Sequence, residues 1–243
     1  MIRTILVWLG SCVTCAIISS QIAQAQSGAT KYHSDSQGYS ITIPPGWKRI
    51  PDAQVRAMQE QFMTSEILEQ VTMDLAIQKD SPVWFTYPYG FVQVQEYPTG
   101  RQFTERHMRQ FIKGMTDVSD EDIRERMTEQ ARDIIVSVGE KRVVFSPETR
   151  TFVCDLASDV VGVGTVRART YGWFGHRSIV LLAVCAPADE FDKFQSVFKQ
   201  LQDSFQFDPG MEYQVVDWFA SPAFAWTLIV AASSVIALVL RQR

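Results

Sequence analysis

Tyr39, Ile41 and Ile43 alternate with Ser40 and Thr42, a period of two that predicts a half-buried strand. Pro44–Pro45–Gly46 predicts a turn, and Trp47 behind it is placed over the edge of the core. From about Asp52 to Val71 the period lengthens. Val55, Met58 and Phe62 fall on one face of a helix. Residues 72–98 return to alternation, with Met73, Leu75 and Ile77 in one strand and Phe91, Val92, Gln93, Val94 and Gln95 in the next. Between those strands lies an aromatic-dense stretch, Trp84–Phe85–Thr86–Tyr87–Pro88–Tyr89–Gly90–Phe91.

A second helix is expected to carry Phe103, His107, Phe111 and Met115, with Thr99 and Gln102 at capping-box spacing. Ser119 and Asp122 suit the cap of a third helix, with Ile123 and Met127 inward. Its acidic first turn, Asp120–Glu121–Asp122, complements the positive helix N-terminus. Strands follow over 134–145, 150–158, 162–173 and 176–185, with tight connections at Asp159–Gly162 and Phe174–Gly175 that predict antiparallel hairpins. A last helix has Pro187 near its start and Phe191, Phe194, Phe198 and Leu201 on one face. Phe205 and Phe207 alternate afterwards as a short closing strand. Mixed helices and hairpins without a repeat predict an α+β fold, an antiparallel β-sheet flanked by helices.

The two ends follow other rules. Arg3 precedes an apolar run from Ile5 to Ile18, and Ala23–Gln24–Ala25 completes the pattern of a signal peptide over 1–25. No charge occurs between Asp217 and Arg241. Trp218 to Leu240 would extend roughly 34 Å as a helix, enough for a ~30 Å hydrocarbon core. Trp218 and Trp226 suit the interface, and Arg241 and Arg243 fall on the cytoplasmic side by the positive-inside rule. The expected organisation is a signal peptide (1–25), an extracytoplasmic domain (26–207), a juxtamembrane linker (208–217), one C-terminal transmembrane helix (218–240) and a cytoplasmic tail (241–243). This places the chain in a cell inner membrane with its domain in the periplasm.

Charge narrows the partners. The chain has 23 Lys and Arg against 27 Asp and Glu, a net charge of −4. Arg3, Arg241 and Arg243 lie in the two ends and every acid lies between them, so the domain itself is more acidic than the whole. Nucleic acid, which needs a basic face, is not expected. The sequence contains no Asn, which excludes N-glycosylation.

Tyr39-x-Ile41-x-Ile43–Pro44–Pro45–Gly46–Trp47 at the start, and Phe194, Phe198, Leu201, Ser204, Phe205 and Phe207 at the end, resemble PsbP-like domains. That family includes the photosystem II extrinsic protein and DcrB-type bacterial envelope proteins. The resemblance covers residues 36–207 in its order of elements and rests on core-packing positions. It implies an antiparallel sheet flanked by helices and a role in binding or assembling other proteins rather than catalysis. It carries over no binding residue, and the C-terminal membrane anchor departs from the family's pattern.

Catalytic signals are absent from the sequence. His33, His107 and His176 are scattered, no HExxH or GxSxG occurs, and Cys12 and Cys15 fall inside the signal segment. Gly162–Val163–Gly164 lacks the following helix of a phosphate loop. No metal, cofactor or enzymatic activity is expected. Cys154 and Cys185 are the cysteines of the domain. An extracytoplasmic compartment permits a disulfide between them, but the expected meander sets them two strands apart, beyond the ~7 Å Cα separation a bond allows.

Two partner surfaces are expected. Arg167, Arg169, Tyr171 and Trp173 share one face of a strand at i, i+2 spacing, where two guanidinium groups beside aromatics suit a carboxylate. An exposed sheet face, or one salt-bridged to the acidic third helix, is the simpler alternative. Trp84, Tyr87 and Tyr89 form an aromatic segment of the kind that anchors interfaces. Core and hairpin packing is its alternative. The expected function is that of a membrane-anchored accessory or scaffold domain that binds another envelope or membrane protein. A small-ligand or lipid-binding module is second, and a hydrolase third.

Overall fold

The computed structural model describes residues 28–62, 72–97, 103–119, 121, 128–139 and 141–214. The expected signal segment, residues 63–71 of the first expected helix, the expected Thr99–Gln102 cap, most of the expected acidic third helix and the expected C-terminal span lie outside them. Among the described residues no helix is long and apolar enough to cross a membrane.

The elements run β1 (Thr30–Ser34), β2 (Tyr39–Ile43), β3 (Trp47–Arg49), α1 (Asp52–Phe62), β4 (Thr72–Lys79), β5 (Tyr89–Glu96), α2 (Glu105–Asp117), α3 (Glu129–Ile134), β6 (Ile135–Val138), β7 (Arg142–Ser146), β8 (Thr151–Val160), β9 (Gly164–Phe174) and β10 (Ser178–Pro187). A 3₁₀ turn (Phe191–Phe194), α4 (Gln195–Ser204) and β11 (Gln206–Phe207) complete them. The fold is α+β with two antiparallel sheets. β1-β2-β11 forms a small one, and β3-β4-β5-β10-β9-β8-β6 a large one, with β7 also on β8.

The main core fills the space between one face of the large sheet and a layer made of the small sheet and α4. Leu75, Ile77, Val92, Val180, Leu182 and Val184 meet Tyr39, Ile41, Phe198 and Leu201 there. The opposite face carries two smaller clusters. Met108 on α2 packs with Phe152, Phe174 and Ile179. Val55 on α1 packs with Ile50 and Ala76. Both helices lie on the second face because their apolar stripes have nowhere else to be buried.

Several boundaries differ from those expected. α2 starts at Thr104, whose side chain accepts from the His107 backbone N–H while His107 Nδ1 accepts from the Thr104 backbone N–H at 3.2 Å. A histidine thus closes a capping box that glutamate or glutamine usually closes. The expected strand over 134–145 is two strands, preceded by α3, whose N-cap is Thr128. Pro187 ends β10 instead of starting a helix. β1 and β3 carried too little alternation to be read from the sequence.

The expected linker over 208–217 is in part domain. Asp208 N–H donates to Gly38 O at 2.9 Å, His176 N–H donates to Met211 O at 2.8 Å, and Glu212 bridges to Gly175. Tyr213 packs into the α2 cluster.

Candidate functional site

The register explains the fate of the first expected surface. Arg167, Arg169, Tyr171 and Trp173 do share one face of β9, opposite Ala186, Val184, Leu182 and Val180 of β10. That face is the one α4 and the small sheet cover. Tyr171 is buried in the main core, and the Trp173 ring stacks on Phe205 at 4.0 Å. The carboxylates come from the chain itself. Asp155 lies directly across from Arg169 on β8. Its two oxygens accept from Arg169 Nε at 2.6 Å and from Nη2 at 3.1 Å. Arg167 reaches Asp192 at 3.4 Å and lies 4.4 Å over the Phe191 ring. Tyr171 and Trp173 are therefore core residues, and the arginines are held by β8 and the 3₁₀ turn.

The cysteines also have a definite place. Cys154 pairs with Thr170 and Cys185 with Ala168, so β9 lies between them. Two strand spacings amount to ~10 Å, too far for a bond. Both thiols are free and buried, so the disulfide considered from the sequence is not formed. Burial pushes the Cys185 thiol up to about 12, which keeps it protonated and unreactive.

The aromatic segment keeps a surface. Residues 80–88 connect β4 to β5 as a loop folded over Gln78, which is fully buried. Gln78 Nε2 donates to Val83 O at 2.7 Å, and Phe85 N–H donates to Gln78 Oε1 at 2.7 Å. One side-chain amide thus does for the loop what a strand partner does for a strand. Phe85 adopts φ 57°, a left-handed conformation that a bulky residue holds only when its surroundings impose it. Lys48 caps the loop from β3. Its ammonium donates to Ser81 O, pairs with Asp80 at 2.9 Å and lies 4.7 Å over the Trp84 ring.

The rings form a ladder along the sheet. Tyr87 stacks on Tyr89 at 5.1 Å, Tyr89 on Phe91 at 6.5 Å, and Phe85 meets Tyr89 edge-on at 5.9 Å. Burial and the neighbouring Cys185 raise the Tyr87 and Tyr89 hydroxyls above their ordinary range, so both remain neutral donors. Val83 is 64% exposed at the crest, and Trp84 and Tyr87 are half-buried beside it. The result is a rigid aromatic shelf with an apolar crest, suited to contact rather than to proton or group transfer.

Replacing Gln78 with leucine removes both amide contacts while keeping the volume. It is expected to cost about 1–2 kcal/mol and to speed hydrogen exchange at the Phe85 amide by about tenfold or more. Unchanged exchange there would mean that ring packing alone holds the loop.

Two clusters escaped the sequence reading. Asp74, at the bulge of β4, accepts from Tyr39 Oη at 2.7 Å and from Tyr32 Oη at 3.2 Å, and so ties the small sheet to the large one. An acid inside an alternating apolar run was its only sign. His33 lies between Ser40 Oγ at 3.0 Å and Asp35 at 3.0 Å, with Asp208 at 3.7 Å. Those residue types are the ones a serine hydrolase uses, but Ser40 is buried and the Asp35 side chain is 95% exposed. A nucleophile needs the reverse, an open hydroxyl and a sheltered carboxylate. The cluster pins the chain after β11 to the first hairpin.

Comparison with known proteins finds no matching family model and no matching curated protein. The structure is similar to the solution structure of cyanobacterial PsbP (CyanoP) from Synechocystis sp. PCC 6803. The identity is 12%, the match covers 78% of this chain and 98% of that one, and the TM-score is 0.44. This is a likeness of fold, and it carries no residue role across.

Proposed function

We propose that this chain is a membrane-anchored, extracytoplasmic accessory protein without catalytic activity, whose α+β domain binds another envelope protein through the 80–88 loop. The observation that carries the reading is the preorganised aromatic shelf. Lys48 holds the Trp84 ring, Gln78 holds the backbone on either side of it, and Tyr87 is stacked on Tyr89, all before any partner arrives. Little ordering entropy then remains to oppose association. Its position supports the same reading. The shelf begins where Tyr89 pairs with Cys185, while the chain leaves the domain beside Gly175, near Ser178 at the other end of β10. The seven residue steps between those positions span roughly 23 Å. An anchor at the exit would leave the shelf clear of the membrane and open to a partner.

The test is in-cell photo-crosslinking from position 83 of the full chain, with co-purification in mild detergent. One partner is expected to be captured reproducibly. Trp84→Ala with Tyr87→Ala is expected to lower its recovery by roughly 30-fold, the scale of an interface anchor worth about 2 kcal/mol. Recovery that survives both substitutions would remove the loop as the interface. A photoprobe that captures nothing but lipid would move the reading to a lipid-binding module.

A further inference from the structure

We propose that the end of the domain bearing Tyr97, Arg150, Arg177 and Tyr213 rests on zwitterionic phospholipid headgroups of the bilayer that carries the C-terminal span. The inference rests on the membrane-anchored reading above and adds to it a surface, an orientation and a ligand chemistry.

The length of free chain carries the argument. The segment after β11 is bonded to the domain at Gly38, Gly175 and His176. Met211 lies so close to Gly38 that a Cβ there would come within 2.6 Å of it. The Arg150 guanidinium lies 4.8 Å over the Tyr213 ring. The chain is thus fixed through Tyr213, and the predicted span begins at Trp218. Five residue steps reach at most roughly 18 Å when fully extended. So short a tether brings the exit end of the domain to the headgroup layer and keeps the far end away from it.

The chemistry at that end fits. Tyr97 Oη donates to Gly175 O at 3.2 Å beside the exit, and tyrosine at the membrane interface presents an apolar ring and a polar tip. Arg177 is exposed on the β9–β10 turn, and guanidinium groups bind phosphate with two donors at once. Glu96, Glu148 and Glu212 are exposed on the same end. Mixed charge of this kind suits a headgroup that carries an ammonium as well as a phosphate, and does not suit a purely anionic surface.

The full chain is placed in phosphatidylcholine nanodiscs containing a headgroup nitroxide lipid, with a fluorescent amino acid at position 177 or at position 163. Val163 sits in the β8–β9 connection, at the other end of β9. That strand has 11 residues, roughly 33 Å between its ends. Quenching is expected to be at least threefold stronger at 177 than at 163. Equal quenching at the two positions, in chain that stays with the lipid through alkaline carbonate, overturns the orientation and leaves the anchor standing. Chain that leaves the lipid under carbonate overturns the anchor and the orientation together.

Discussion

Gly172→Ala is expected to destabilise the domain by about 3 kcal/mol, at the upper end of what overpacking a core costs. Gly172 pairs directly with Phe152 on β8 and with Leu181 on β10. The Phe152 ring lies over it, and an added Cβ would sit 2.1 Å from Cε1 and 2.2 Å from Cζ of that ring. The backbone is not the obstacle, because Gly172 is not in the left-handed region. The ring has nowhere to go. Phe152 is buried and meets Phe174 at 5.6 Å and Phe111 at 5.9 Å, while Phe174 is itself held by Phe103 at 5.7 Å and Phe145 at 6.0 Å. Urea denaturation measures the loss. Phe152→Leu in the same chain is expected to return part of it, since residues in contact do not add independently. A loss below about 1 kcal/mol would mean that the ring swings aside, and the packing argument would fall.

Phe198→Ala is expected to cost about 3–5 kcal/mol, the range for deleting a buried aromatic. Phe198 is the central knob of α4. It is 1% exposed, and its ring meets Phe191 at 5.3 Å, Phe194 at 6.2 Å and Trp47 edge-on at 6.3 Å. Removing it opens a cavity between α4 and the large sheet. It also weakens a helix whose Ser204 Oγ accepts from the Thr42 N–H of the small sheet at 3.0 Å. Phe198→Leu, which fills most of the space, is expected to cost under about 1.5 kcal/mol. The urea midpoint separates the two. If alanine and leucine cost the same, the helix would be a dispensable cover instead of half of the main core.

The two results bear on different kinds of knowledge. Phe198 was legible in the sequence because Phe191, Phe194, Phe198 and Leu201 share a helical period, and burial of an amphipathic face follows from that period. The strands of the meander were legible for the same reason, and β8, β9 and β10 begin and end close to where alternation and turn residues placed them. Gly172 was not legible. Nothing along the chain says that a phenylalanine twenty residues earlier lies across from it. That is decided by strand register, and register is settled by the packing of whole faces.

The candidate surfaces divide along the same line. Periodicity correctly put Arg167, Arg169, Tyr171 and Trp173 on one face of one strand. It could not say that α4 would cover that face, or that Asp155 would stand opposite Arg169. For Trp84, Tyr87 and Tyr89, composition marked the segment and the structure supplied its support. Gln78 faces away from the apolar set of Leu75 and Ile77, and alternation gives no reason to bury it. It is buried because the loop folds back over it and turns both ends of its amide into loop contacts. The segment after β11 shows the converse error. Its polar composition reads as a linker, yet backbone hydrogen bonds to Gly38, Gly175 and His176 make it part of the domain.

By itself, then, the sequence determined the α+β class, the meander and the face of α4 that is buried, because local period and turn chemistry are written in consecutive residues. Only the tertiary structure decided which face of β9 is interior, which carboxylate stands across from Arg169, and that the chain after β11 stays bonded to the domain. Each of those depends on which distant strand lies alongside, and that choice is made by the burial of the whole sheet rather than by any segment of it.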